Sequence, residues 1–236
     1  MNVRAVQRRR GGAPAARTTP RDEATPQALQ AQAPQLAAGI AALGLALDAE
    51  RQQALIDFLL LLAKWNRTYN LTALSAAEEM LTHHLLDALA VLPHLGVARR
   101  IIDVGSGAGV PAIPIAIARP DVQVVSVDTV DKKIAFQRQA RIELKLHNLE
   151  LQCARVETLR LAGADIVIAR AFAELAEFVS VAGHLAAPGG ALLAMKGTYP
   201  QQEIEALPPG WRLERSLRLS VPGLNAERHL IWLRKN

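Results

Sequence analysis

Three glycines with single-residue spacing, Gly105, Gly107 and Gly109, and two nearby acids are where this sequence first suggests chemistry. The glycines follow the apolar run Ile101-Ile102-Asp103-Val104, which suits a buried parallel strand. Without a Cβ the chain turns tightly there and brings bare backbone N–H groups close to a ligand. Pro111 and the apolar Ile113, Ile115 and Ile117 then open a helix, where proline is tolerated in the first turn. The helix start presents unpaired N–H groups and the positive end of a dipole. Strand, glycine turn and helix together begin a nucleotide-binding βαβ unit, although glycines also serve tight turns for purely structural reasons. Asp103 sits at the carboxyl end of the strand, where ligands bind in open α/β sheets. A second apolar run, Gln123-Val124-Val125-Ser126-Val127, ends in Asp128, 23 residues after Gly105, about where a ribose-binding carboxylate is expected.

The dinucleotide fingerprint G-x-G-x-x-G would require glycine at Val110, but the third glycine comes one residue early. An acid followed by G-x-G-x-G instead resembles motif I of S-adenosylmethionine-dependent methyltransferases. The resemblance implies that Asp128 holds the ribose hydroxyls of that cofactor.

The elements that must position these residues can be read from the rest of the chain. Its 236 residues suffice for one α/β domain with a helical appendage. No apolar stretch is long enough to span a bilayer, and no secretory signal pattern is present. The single Cys153 excludes an intrachain disulfide and a thiolate zinc site, so a cytoplasmic setting is expected. Its place within a strand predicts a buried, inert thiol. The net charge of +5 is compatible with a nucleic-acid partner. Residues 1–33, rich in Arg, Ala, Pro and Gln, are expected to be a disordered basic tail. The tail reads as a dispensable extension, with a phosphate-binding arm and a transit peptide as weaker alternatives.

Residues 34–95 form an expected helical region. Leu36, Ile40, Leu43 and Leu47 share one helical face. Asp48 caps a second helix with Leu55, Phe58, Leu59, Leu62 and Trp65 as its apolar stripe. Residues 66–72 read as a polar turn, and a third helix covers about 76–92. It carries His83, His84 and Asp87, of which His84 and Asp87 are spaced to touch as a structural pair. Residues 96–236 then alternate strands and helices. Strands are predicted at 149–153, 164–169 and 191–195 after the first two, with helices at 132–146 and 173–185. Residues 211–221 and 228–233 form a closing antiparallel pair. Five alternating strands make a doubly wound sheet. The hairpin ending is the seven-stranded, Rossmann-like arrangement associated with class I S-adenosyl-L-methionine-dependent methyltransferases, here with an N-terminal helical extension.

Several methyltransferase subclasses are set aside by what is missing. The Asp/Asn-Pro-Pro-aromatic motif of adenine-N6 enzymes is replaced by Ala169-Arg170-Ala171-Phe172. Pyrimidine-C5 enzymes need a cysteine nucleophile, and Cys153 lies at the wrong strand. No histidine–carboxylate metal cluster is apparent. What remains is transfer to an atom that owns a lone pair. Guanine N7 is such an atom; it needs no general base, only alignment.

The motifs then become specific. Asn70-Leu71-Thr72, His84-Leu85-Leu86-Asp87, residues 103–111, Arg155-Val156-Glu157, residues 169–172, Lys196-Gly197 and Glu227-Arg228-His229-Leu230 resemble, in colinear order, the RsmG (GidB) family of bacterial 16S ribosomal RNA guanine-N7 methyltransferases. His83 and Ala88 depart from its usual residues on the RNA side, and Ala169 replaces its usual Ser. The resemblance implies cofactor contacts at Gly105, Val110, Asp128, Val156, Glu157 and Arg170, and no proton-shuttling residue. Arg155, Lys196 and Arg228, with Arg170, would form a basic rim around one mouth and meet RNA phosphates, Arg170 and Lys196 positioning the base. The implied partner is the small ribosomal subunit or its RNA, and the expected state a monomer. A small-molecule methyltransferase and a non-catalytic RNA-binding module remain open as alternatives.

Overall fold

The computed structural model describes residues 24–161, 163–172 and 174–236. Helix α1 (Pro26–Gln30) is capped by the Thr25 hydroxyl, which accepts from Ala28 N–H. Its Leu29 is fully buried. The expected tail of 33 residues is therefore too long at its inner end, because Leu29 anchors a turn of helix that composition alone reads as polar. Residues 1–23 lie outside the described residues. Helix α2 (Ala33–Ala42) buries Leu36 and Ile40. It stops before Gly44, which has φ +69°. Leu43 and Leu47 reach the same core from beyond the helix rather than from one helical face.

Helix α3 (Ala49–Tyr69) starts at the expected cap, where Asp48 accepts from Arg51 N–H at 2.8 Å. Leu55, Phe58, Leu59 and Leu62 are fully buried, and Trp65 packs against the same core. The helix runs through most of the segment expected to be a turn and ends at Asn70, with φ +47°. Asn66 fixes the chain beyond it: its Oδ1 accepts from Leu71 N–H at 2.7 Å and from Thr72 N–H at 2.9 Å. Removing a shared acceptor strands two donors, at about 1–3 kcal/mol. Asn66→Ala is accordingly expected to lower the urea midpoint with an unchanged slope. An unaltered midpoint would mean that water replaces the amide.

The third predicted helix is α4 (Ala77–Met80), a π-helical turn (Leu81–Leu86) and α5 (Asp87–Leu89) in succession. The sheet region follows as β1 (Arg100–Val104), α6 (Ala112–Ala118), β2 (Gln123–Asp128), α7 (Asp131–Glu143), β3 (Leu149–Cys153), β4 (Ala164–Arg170), α8 (Leu175–Ala182), β5 (Ala186–Lys196), α9 (Gln201–Glu205), β6 (Trp211–Arg218) and β7 (His229–Lys235). The seven strands lie in the order β3-β2-β1-β4-β5-β7-β6. The pairings among β1 to β5 are parallel, and β7 inserts antiparallel between β5 and β6. Strand β5 begins earlier than expected because Gly190 lets it pass close to β4. A Cβ there would lie 2.6 Å from the Ala164 carbonyl oxygen.

Strand β1 pairs with β2 on one side and β4 on the other. The strand order reverses there, and a crevice opens beyond the carboxyl end of β1. One apolar cluster joins the N-terminal helices to α6, α7 and one sheet face, running from Leu29 and Leu59 through Leu86 to Ile113 and Leu193. Helix α8 covers the other face through Leu175, Phe178 and Ala182. Cys153 is exposed, not buried, because β3 is an edge strand. Its thiol donates to Asp131 Oδ1 at 3.0 Å, and that carboxylate pushes its pKa up.

Candidate active site

The glycine turn leaves β1 and is tied to β2: the N–H groups of Gly105 and Ser106 both donate to the Val127 carbonyl, at 2.9 and 3.0 Å. Gly105 has φ +70°. Gly109 has φ +79°, and a Cβ there would meet Ile113 Cδ1 at 2.5 Å, so any other residue would strain the backbone and push aside a side chain of helix α6. A buried polar chain holds the turn from beneath. Ser126 Oγ donates to Gln137 Oε1 at 2.6 Å, and Gln137 Nε2 donates to Ser106 Oγ and to the Gly107 carbonyl, both at 2.9 Å. Buried side-chain amides are costly unless paired; here both ends of Gln137 are paired, which locks the turn.

Asp128 at the end of β2 is buried and anchored through both oxygens. Oδ2 accepts from Gly107 N–H at 2.8 Å and Oδ1 from Val130 N–H at 2.9 Å. Each oxygen keeps a further acceptor site. A cavity of about 210 Å³ opens beside it, lined by Gly105, Asp128, Arg155, Val156, Glu157 and Phe172 among others. The Phe172 ring lies 3.5 Å from where a Gly105 Cβ would be. Four of the six residues assigned to the cofactor thus line one cavity. Val110 does not line it; buried, it donates its N–H to Ser106 O and supports the turn. A larger recess of about 450 Å³ between α1, α3 and α7 carries none of these groups.

On the far side of the turn lies a second constellation. Asp103 is fully buried; Oδ2 accepts from Ala112 N–H at 3.0 Å, while Oδ1 has no partner. Burial raises its pKa to about 7, against the pull of the Ala112 N–H and of Arg170. Arg170 ends β4 and points into the helical region. Its Nη1 donates to the His83 carbonyl at 2.8 Å and lies 3.5 Å from Asp87 Oδ2, and its Nη2 lies 3.5 Å from His84 Nδ1. Asp87 Oδ1 also accepts from Arg228 Nε at 3.0 Å.

The expected His84–Asp87 pair does not form. Each partner is claimed by groups from elsewhere in the chain: Asp87 by two arginines, His84 by Arg170 and by Thr72, whose Oγ1 lies 2.9 Å from Nε2. Desolvation and the Arg170 charge drop the His84 pKa to about 3. The ring is neutral, and an Arg170 donor at Nδ1 places its proton on Nε2, toward Thr72.

The basic rim is divided. Lys196 ends β5 and donates to Glu203 Oε2 at 2.7 Å. It pairs in register with His229, next to Arg228. Arg155 follows the edge strand β3 and lines the cavity beside Asp128, which neither Lys196 nor Arg228 touches. Sequence reasoning missed Phe172, Gln137 and the sharing of Asp87. Phe172 stood within a quoted motif, but no spacing rule links Asp87 to Arg228, 141 residues away.

The orphaned Asp103 oxygen asks for a cation and the anchored Asp128 for hydroxyl donors. S-adenosyl-L-methionine offers both, an α-ammonium and a ribose diol, so the residues fit it. Among the described residues, no helix is long and apolar enough to cross a membrane.

Comparisons with known proteins give the family and the fold. Residues 51–231 match the family described as rRNA small subunit methyltransferase G. The chain is 55% identical over 197 residues to the ribosomal RNA small subunit methyltransferase G of Azoarcus sp. (strain BH72), covering 83% of this chain and 93% of that protein. It is 52% identical over 200 residues to the protein of the same name from Neisseria meningitidis serogroup C, covering 85% and 97%. Among solved structures it resembles the glycopeptide N-methyltransferase MtfA complexed with sinefungin, with a TM-score of 0.57 and 11% identity over 65% of this chain and 87% of that one. TrmN from Thermus thermophilus gives a TM-score of 0.51 and 22% identity over 63% and 48%. These structural likenesses establish the class I methyltransferase fold, and with a family match spanning most of its length the chain belongs to the rRNA small subunit methyltransferase G family of S-adenosyl-L-methionine-dependent methyltransferases.

Proposed function

We propose that this enzyme methylates N7 of a guanine in 16S ribosomal RNA, acting as a cytoplasmic monomer on the small ribosomal subunit or its RNA. When bound, S-adenosyl-L-methionine supplies a methyl group on a sulfonium, which N7 takes with its own lone pair. The observation that carries the choice of acceptor is the state of His84. Its two ring nitrogens face Thr72 and Arg170, and it is neutral. It has no free lone pair with which to remove a proton, and an acceptor without a proton needs none.

The chain's own groups then have distinct tasks. Asp128 accepts from the ribose hydroxyls, and Val156, Glu157 and Phe172 bound the adenine. Gly105 lets the cofactor lie against the turn, with Val110 behind it. Asp103 receives the α-ammonium, and Arg170 the carboxylate. Arg155, Lys196 and Arg228 meet RNA phosphates from two flanks; Lys196 keeps the base in line through contacts other than N7, and Arg170 does so through the cofactor it holds. The helical region before residue 96 caps the amino-acid end of the cofactor site, since Arg170 reaches its His83 carbonyl and Asp87.

The test is the pH dependence of the chemical step. Single-turnover rates with saturating RNA and cofactor are expected to stay nearly flat from about pH 6 to 9, because N7 carries no proton to remove and saturating cofactor holds the Asp103 carboxyl ionised. A steep rise with a midpoint near neutrality, abolished by His84→Ala, would overturn the base-free reading.

A further inference from the structure

The π-helical turn Leu81–Leu86 is an irregularity with a visible consequence. In an α-helix Asp87 N–H would donate to the His83 carbonyl, four residues back. Here it donates to Thr82 O, five residues back. The His83 carbonyl is thereby given up by Asp87 and accepts from Arg170 Nη1 at 2.8 Å. Single π turns recur at functional sites, and this one lies over the carboxyl end of β4.

The guanidinium carries five N–H donors in a fixed fork. Nη1 is taken by the His83 carbonyl and by Asp87 Oδ2, and one Nη2 hydrogen faces His84 Nδ1. Left over are Nε–H and the second Nη2–H, the parallel side-on pair that matches a carboxylate. Among the described residues, no partner engages Nε. Asp103 pairs in register with Ile168 of the neighbouring strand β4, two residues before Arg170, and the guanidinium pulls on its carboxyl. An amino acid's ammonium and carboxylate need an acid and an arginine side by side.

We propose that the π turn and Asp87 form an arginine cradle that positions Arg170, so that its side-on edge receives the carboxylate of the cofactor's methionine moiety. Asp87 is then a positioning residue, acting through Arg170 and touching no reactant. Thr72 belongs to the cradle by fixing the proton of His84 on Nε2, which keeps Nδ1 an acceptor. The proposal rests on Arg170 being a cofactor residue.

Two ligands separate positioning from simple support of the fold. S-adenosylhomocysteine carries the amino-acid end and methylthioadenosine lacks it. Calorimetry on the full chain is expected to show Asp87→Asn weakening S-adenosylhomocysteine about tenfold, near the value of one charge-assisted hydrogen bond, with methylthioadenosine unchanged. In an Arg170→Ala background Asp87→Asn should add nothing, since the two act as one unit. Thr72→Val, which leaves the ion pair in place, is expected to weaken S-adenosylhomocysteine about threefold and serves if Asp87→Asn fails to fold. Equal loss for both ligands, or additive losses in the double variant, would overturn the cradle. So would an unchanged Kd in Thr72→Val. Arg170→Ala that leaves S-adenosylhomocysteine binding intact would instead refute the cofactor assignment of Arg170.

Discussion

Replacing Asp103 by asparagine is expected to raise the melting temperature of the cofactor-free enzyme while weakening S-adenosyl-L-methionine binding by at least an order of magnitude. The carboxyl is fully buried, with one oxygen on Ala112 N–H and the other without a partner. A buried charge without a full set of partners opposes folding. Its pKa of about 7 in the folded state, against an ordinary 3.8, fixes the sign. Between about pH 4 and 7 the folded state binds more protons than the unfolded one, so stability falls as pH rises through that window. An asparagine side chain can keep the Ala112 bond through its amide oxygen and carries no charge. The wild-type melting temperature should therefore fall from pH 5 to 8, and the part due to Asp103 should vanish in Asp103→Asn. The charge that weakens the empty protein is what a cationic ligand group would answer, a common exchange of stability for function. Cofactor Kd in the wild type should accordingly rise up to about tenfold per pH unit below pH 7, where the carboxyl must first lose its proton. The variant should bind weakly with little of that dependence. An Asp103→Asn protein that binds normally would remove Asp103 from the site.

Asp128→Ala is expected to weaken the cofactor by one to two orders of magnitude. Two charge-assisted hydrogen bonds from a ribose diol, at about 1.5–3 kcal/mol of net loss, set that range. The geometry adds a second effect. Asp128 also accepts from Gly107 N–H and Val130 N–H, so its removal loosens the glycine turn and should lower the melting temperature. Asp128→Asn retains an acceptor and should lie between wild type and alanine in both measurements. Calorimetry with S-adenosylhomocysteine beside a thermal melt checks the pair. An unchanged Kd in a well-folded Asp128→Ala protein would count against the placement of the ribose.

Much of this was legible in one dimension because it depends on local rules. Apolar runs ending in Asp103 and Asp128 bound strands β1 and β2, and the glycine spacing marked the turn. Asp48 capped α3 as its side chain and position required, and the closing strands paired antiparallel. Errors arose where tertiary packing outweighed local composition. Residues 26–33 are polar on average, yet one leucine finds the core and orders them. Asn66 looks like a turn residue but serves as the clamp at the end of a longer helix. Cys153 looks buried because strand residues usually are, and strand order alone reveals that β3 is an edge.

The sequence by itself determined the class of ligand: a strand, a glycine turn and a second acid at fixed spacing can be read without knowing what surrounds them, because backbone conformation and the reach of one βαβ unit are local matters. Only the tertiary structure decided how the charges are shared. Asp87 could not be assigned to Arg170 and Arg228, nor His84 to Thr72 and Arg170, nor Lys196 to Glu203, because ion pairs and buried hydrogen bonds form between whichever groups the packed elements bring within about 3 Å, and separation along the chain does not enter into that distance.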